Sequence, residues 1–124
     1  MKVGLRERER EGEKKPTRYY SKKQETKVAK DLGGNTTPNS GATMFRKGDV
    51  ELGNNFLVEC KTKTSHSESI SIKKEWLEKN RREALFMGKH YSALVFNFGP
   101  NEKNYVILDQ DTFDELLEKL KSVD

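Results

Sequence analysis

A chain of 124 residues is long enough for one compact domain and too short for two. Its charged fraction is 35 %, against about 25 % in an average protein, so part of the chain is expected to lie outside any core. One cysteine, Cys60, excludes an intrachain disulfide and suits a reducing cytoplasm, two distant histidines make no zinc pattern with it, and neither a membrane span nor a secretory signal is expected.

The charge is unevenly placed. Residues 1–30 hold eleven Lys or Arg against five Glu, whereas residues 101–124 hold three Lys against seven Asp or Glu. A basic front half suits a polyanionic partner such as nucleic acid, and suits a solubilising tail equally well. Residues 1–18 alternate charges of both signs with almost nothing to bury, and are expected to form a flexible arm before a single domain over 19–124.

The first element is a helix from about Lys22 to Leu32. Ser21 is placed as its cap with Gln24 at capping-box spacing, and Gly33-Gly34 stop it. Val28, Ala29 and Leu32 form its apolar stripe. Glu25 projects from the same face, where a lone carboxylate is costly to bury. It is either wet or directed into a site where a metal or a lysine offsets its charge. Residues 35–48 read as a loop, NTTPNSGATMFRKG. A hairpin follows, with strands over about Asp49–Leu52 and Phe56–Thr62 joined by Gly53-Asn54-Asn55.

Residues 63–69 are polar and expected to be mobile. A helix is predicted from Ile72 to Met87, capped by Ser71, with Ile72, Trp76, Leu77, Ala84 and Leu85 as a sparse apolar stripe. Strands follow at about Tyr91–Phe98 and Asn104–Leu108. The last helix is expected to start at Asp111 and to bury Phe113, Leu116, Leu117 and Leu120, which recur at i, i+3, i+4 and i+7. The order α-β-β-α-β-β-α defines an α/β fold, a mixed β-sheet flanked by helices.

The chemistry is expected on the hairpin. Along FLVECKTK, side chains alternate faces, so Phe56, Val58 and Cys60 turn to a core while Glu59 and Lys61 share the other side. Asp49 begins the neighbouring strand and lies across the turn from Glu59. Two carboxylates and an ammonium on one sheet edge suit phosphodiester hydrolysis, in which negative charge grows on the attacking and leaving oxygens. A divalent metal offsets that charge and supplies an activated water. Mg²⁺ takes hard oxygen ligands and keeps several waters, so one or two carboxylates suffice, and the Cys60 backbone carbonyl is a further donor. Lys61 would orient the water or stabilise the developing charge. Arg46, Lys47, Lys63, Lys73 and Lys74 flank this edge as candidate DNA-phosphate contacts, though each reads equally as a solvated surface charge. Cys60 is read as a packed core thiol, His66 as a loop residue, and Trp76 as a core anchor or dimer contact.

The pattern of GDV, eight residues and ECK resembles the PD-(D/E)XK nuclease superfamily. From Gln24 to about Phe98 the chain is similar in order and spacing to archaeal-type Holliday-junction resolvases and their phage-encoded relatives, with QE, SGA, GD and ECK in sequence. Gly48 stands where the family name has Pro. The resemblance implies a restriction-endonuclease-like core, with Asp49 and Glu59 binding Mg²⁺ (or Mn²⁺ in its place) and Lys61 acting on the attacking water. It also implies that Glu25 completes the acidic cluster directly or through water, and that Ser40 lies at the site mouth. The implied activity is a Mg²⁺-dependent DNA endonuclease selective for branched DNA. A homodimer is expected because paired cuts need two centres. The alternatives are a nuclease of the same fold acting on duplex or single-stranded DNA, and a nucleic-acid-binding module that does not cut.

Overall fold

The structure, a computed structural model, describes residues 16–37 and 49–123. Three helices and five strands follow one another: α1 (Thr17–Leu32), β1 (Asn35–Thr36), β2 (Val50–Leu52), β3 (Phe56–Lys61), α2 (Lys74–Phe86), β4 (Tyr91–Phe96), β5 (Tyr105–Ile107) and α3 (Gln110–Lys121). The strands form one mixed sheet in the order β1-β2-β3-β4-β5. Only β3 and β4 run parallel; the other three pairings are antiparallel. Parallel neighbours need a crossover, and α2 is that crossover. The fold is therefore the expected α/β sheet flanked by helices, with one short strand, β1, inside the segment read as loop.

Alternation along β3 and β4 builds two faces. Phe56, Val58 and Cys60 stand level with Tyr91, Ala93 and Val95. That face packs under α1, where Val28, Ala29, Val50, Val58, Cys60, Ala93 and Val95 form the buried cluster. Leu57, Glu59 and Lys61 stand level with Ser92, Leu94 and Phe96 on the other face, which α2 covers. The Asn80 amide on α2 donates to the carbonyls of Leu57 (3.3 Å) and Ala93 (2.9 Å), a polar anchor between the helix and the sheet. Two adjacent glycines set the start of the sheet. Gly33 ends α1 in the left-handed region at φ 73°. At Gly34 a Cβ would lie 2.5 Å from the Glu51 carbonyl oxygen, so only glycine lets β1 approach β2 this closely.

Several expected boundaries shift. α1 starts at Thr17 behind Pro16, so Thr17 and Arg18 belong to the helix, and Ser21 lies inside it without capping it. Proline fits just before a helix because its missing N–H would be unsatisfied there anyway. Gln24 is not half of a capping box; it is buried, and its amide donates to the Lys61 carbonyl at 2.8 Å and to Asn104 Oδ1 at 3.1 Å. Leu32 is exposed. β2 begins at Val50, which leaves Asp49 just outside it. α2 begins at Lys74 after an extended Lys73, without Ser71 as its cap, and buries Asn80 and Ala84 while Leu77 and Leu85 are exposed.

The segment expected to be mobile, 63–69, is tied to the turn after β4. Ser67 N–H donates to the Phe98 carbonyl (2.8 Å), and His66 pairs with Glu102. The largest correction concerns α3. Asp109, not Asp111, caps it by accepting from Thr112 N–H (2.7 Å), which holds the Asp109 carboxyl below its ordinary range. Phe113, Leu117 and Leu120 are exposed, and only Thr112 is buried. The periodic stripe is present but turns away from the core. Among the described residues no helix is long and apolar enough to cross a membrane.

Candidate active site

β3 is longer than β2, and the difference makes the site. Val50 pairs with Val58, and the ladder then stops. Asp49 remains aligned: its N–H donates to the Val58 carbonyl (3.0 Å) and its carbonyl accepts from Thr37 N–H (3.0 Å). Its side chain turns in place of a further strand residue, and Oδ2 accepts from Cys60 N–H at 2.7 Å. A carboxylate thus fills the vacated edge of β3. The N–H and C=O of one strand residue point to the same edge, so the Cys60 carbonyl opens onto this gap as well.

Three further groups converge there. Glu59 and Lys61 project together from β3, with Lys61 Nζ 3.6 Å from Glu59 Oε2. From the opposite face, Glu25 on α1 reaches the same edge, near enough to Asp49 and Glu59 for their charges to raise its carboxyl. Gln24, the preceding residue, pins that turn of α1 to the end of β3 through its bond to the Lys61 carbonyl.

The electrostatics are one-sided. Burial raises the Glu25 carboxyl to about 7, and the charges of Asp49 and Glu59 add to the rise. Burial likewise raises Glu59 to about 7, with Asp49 adding to it and Lys61 and Lys79 opposing it. Asp49 is pushed up by burial and held back by the Cys60 N–H, Lys61 and Lys79. Three carboxyls therefore share a partly desolvated pocket with too little positive charge. The same surroundings raise the Cys60 thiol, first by burial and then by the three acids. Buried and protonated, it is the packed thiol expected and no nucleophile.

The donor set is all oxygen, which fits a hard dication such as Mg²⁺ and not a soft one. Glu25, Asp49, Glu59 and Lys61 are brought together as expected. The carboxylates are not closed into a ready coordination shell: among the described residues no group of three or more His, Cys, Asp or Glu is placed to hold a metal ion. Ser40, Arg46 and Lys47 lie outside the described residues. Lys63 is half-buried, while Lys73 and Lys74 are exposed. Lys74 pairs loosely with Glu78 at 3.9 Å.

The α2 face was missed. Trp76, Lys79, Asn80 and Glu83 recur at i, i+3, i+4 and i+7 and face the site side of the sheet. Lys79 lowers Asp49 and Glu59 electrostatically, and Glu83 raises Glu59. One Glu83 oxygen is buried without a hydrogen-bond partner. Trp76 is half-buried, and Lys61 Nζ stands 4.3 Å from its ring centroid. The signal was available as a polar helical stripe, but a search for apolar periodicity passes over it. Compared with family models, curated proteins and solved structures, the chain matches none.

Proposed function

We propose that this chain is a metal-dependent DNA endonuclease that hydrolyses phosphodiester bonds, acting on branched DNA as a homodimer. The observation that carries the reading is the convergence of Glu25, Asp49 and Glu59 with Lys61 on the free edge of β3, where acid charge exceeds the base beside it. A site of this kind gains from a cation, and Asp49, Glu59 and the Cys60 carbonyl are the groups that would hold Mg²⁺ or Mn²⁺, with Glu25 completing the set directly or through water. The bound metal would supply charge neutralisation and an activated water. Lys61 would donate to the oxygen on which charge develops, and Lys79 would add positive potential from α2. Lys63, Lys73 and Lys74 offer phosphate contacts on the adjoining surface.

The dimer rests on the exposed apolar residues of β5 and α3. Tyr105, Val106, Phe113, Leu117 and Leu120 are solvent-exposed on an edge strand and the helix that follows it, a combination that favours association. A monomer mass, both free and on DNA, would remove this part of the proposal.

The test is cleavage of labelled four-way junction, duplex and single-stranded DNA in Mg²⁺, with the wild type beside Glu59→Gln. Paired nicks in the junction by the wild type are expected, with a loss of about 10²–10³-fold in the variant. Equal cutting of linear DNA would replace branch selectivity with a general nuclease. The open arrangement of the carboxylates favours one other reading, a DNA-binding module that does not cut; DNA binding by both proteins without cleavage in Mg²⁺ or Mn²⁺ would establish it.

A further inference from the structure

A lysine that acts on a water or a phosphoryl oxygen has to stand in one place. Its four-carbon stem opposes this, because every rotamer frozen costs entropy. The partner first in view is Glu59, 3.6 Å from Lys61 Nζ. Glu59 is a poor sole holder. Once its carboxylate serves a cation, its charge is shared with that ion and its pull on the ammonium weakens.

The structure supplies a second holder, which an ion held by the carboxylates would not engage. Trp76, on the first turn of α2, presents its ring 4.3 Å from Lys61 Nζ, well inside cation–π range of about 6 Å. Lys73 Nζ stands at 5.9 Å from the same ring. α2 itself is anchored across β3 and β4 by the Asn80 amide, one helical turn from Trp76. The helix that carries the ring is therefore set by the sheet and not by the lysine. An apolar core anchor would not carry two ammonium groups around its ring.

We infer that Trp76 is the positioning residue for Lys61: its indole ring fixes where the Lys61 ammonium stands beside the carboxylate cluster. The contact rests on geometry alone, whereas its consequence for rate rests on the nuclease reading.

Two measurements on the full chain separate the two. The first is NMR of the protein without DNA or added metal. Ring current from Trp76 is expected to move the Lys61 Cε protons upfield of exposed lysines such as Lys27 and Lys119. Trp76→Leu should return them to the ordinary position and leave the rest of the spectrum native. Lys61 protons that are unshifted in the wild type overturn the inference. The second is single-turnover cleavage of the junction in Mg²⁺. Trp76→Leu is expected to lower the maximal rate about tenfold, the worth of one partly buried cation–π contact, with the half-saturating DNA concentration unchanged. Trp76→Phe, which keeps an aromatic face, should recover most of that loss. In a Lys61→Met background Trp76→Leu should cost nothing further, because the two act as one unit. A Trp76→Leu defect in DNA affinity that persists in the Lys61→Met background would make Trp76 a base-stacking contact and overturn the inference. A wild type that shows the proton shift but cuts no DNA would sink the nuclease reading and leave the hold of Trp76 on Lys61 established.

Discussion

Two groups of charged residues lie within this sheet, and they are built on opposite principles. Beside the hairpin turn, Lys89 Nζ sits 3.0 Å from Glu51 Oε1, with side chains only 8 % and 11 % exposed. The same ammonium donates to the Gly53 carbonyl at 2.7 Å. Here an acid meets a base, and another proton of the same ammonium finds a carbonyl. At the far end of the same two strands, burial pushes Glu25, Asp49 and Glu59 all up, the Asp49 charge adds to the rise of Glu25 and Glu59, and Lys22, Lys61 and Lys79 offset it only in part. A balanced buried pair holds the hairpin to the end of α2. An unbalanced cluster raises the energy of the fold wherever the acids are ionised, unless something else supplies charge. That difference in charge balance separates a structural pair from a candidate site more sharply than the step from a buried to a half-buried setting does.

The largest effect expected from this contrast is at the balanced pair. Lys89→Met leaves Glu51 buried without its counter-charge and should lower the unfolding free energy by about 3–5 kcal/mol, read from chemical denaturation. Replacing both partners, Glu51→Leu with Lys89→Met, should recover most of it. A single variant that loses less than about 1 kcal/mol would mean the pair is wetter than it looks, and the contrast would blur.

The unbalanced cluster should respond in the opposite sense. Glu59→Gln removes one of the repelling charges, so the metal-free variant should melt a few degrees above the wild type at pH 8, where about 1 kcal/mol corresponds to roughly 4–8 °C. A lower melting point would assign Glu59 a stabilising role that the comparison denies it. The pH dependence follows from the same groups. The folded Glu25 and Glu59 titrate near 7, against 4.5 ordinarily. Between those values the folded state binds more protons than the unfolded one. Their contribution to stability is therefore full below about 4.5, is lost as pH rises towards 7, and does not return above it. A divalent cation takes the place of those protons, so Mg²⁺ should raise the melting temperature more at pH 8 than at pH 5. An equal rise at both would place the ion elsewhere. The smallest effect sharpens the contrast from outside it. Lys27 and Asp31 pair at 2.9 Å on the exposed side of α1, and Lys27→Ala should change stability by no more than about 0.5 kcal/mol.

How far the site was legible in the sequence depends on which rule placed each residue. Strand alternation has a period of two, so Glu59 and Lys61 were paired on one face, and Phe56, Val58 and Cys60 on the other, as the structure has them. Asp49 followed from the length of the Gly53-Asn54-Asn55 turn. Glu25 was visible as an acid on an apolar helix face, with its partner left open. Trp76 was read as a core anchor or dimer contact, and its grouping with Lys79 and Glu83 beside the site was not found, because that grouping depends on which side of α2 meets β3. The apolar residues of α2 gave too sparse a stripe to orient it. The same limit reversed α3, where Phe113, Leu117 and Leu120 have helical spacing yet face solvent. Periodicity reports that a helix has an apolar face; it does not report what lies opposite that face.

The sequence by itself determined the alternation of helices and strands, the hairpin and its turn, and the side of β3 on which the acid and base stand. These depend on neighbours within a few residues, through side-chain periodicity, turn chemistry and backbone preference. Only the tertiary structure decided that β2 stops short and leaves the edge of β3 to the Asp49 side chain. It also decided that α1 brings Glu25 round from the other face, that Gln24 serves as a buried anchor and not as part of a cap, and that α2 lays Trp76 against Lys61. Each of these depends on residues distant in the chain meeting across a packed sheet, where burial and desolvation set both the geometry and the charge state.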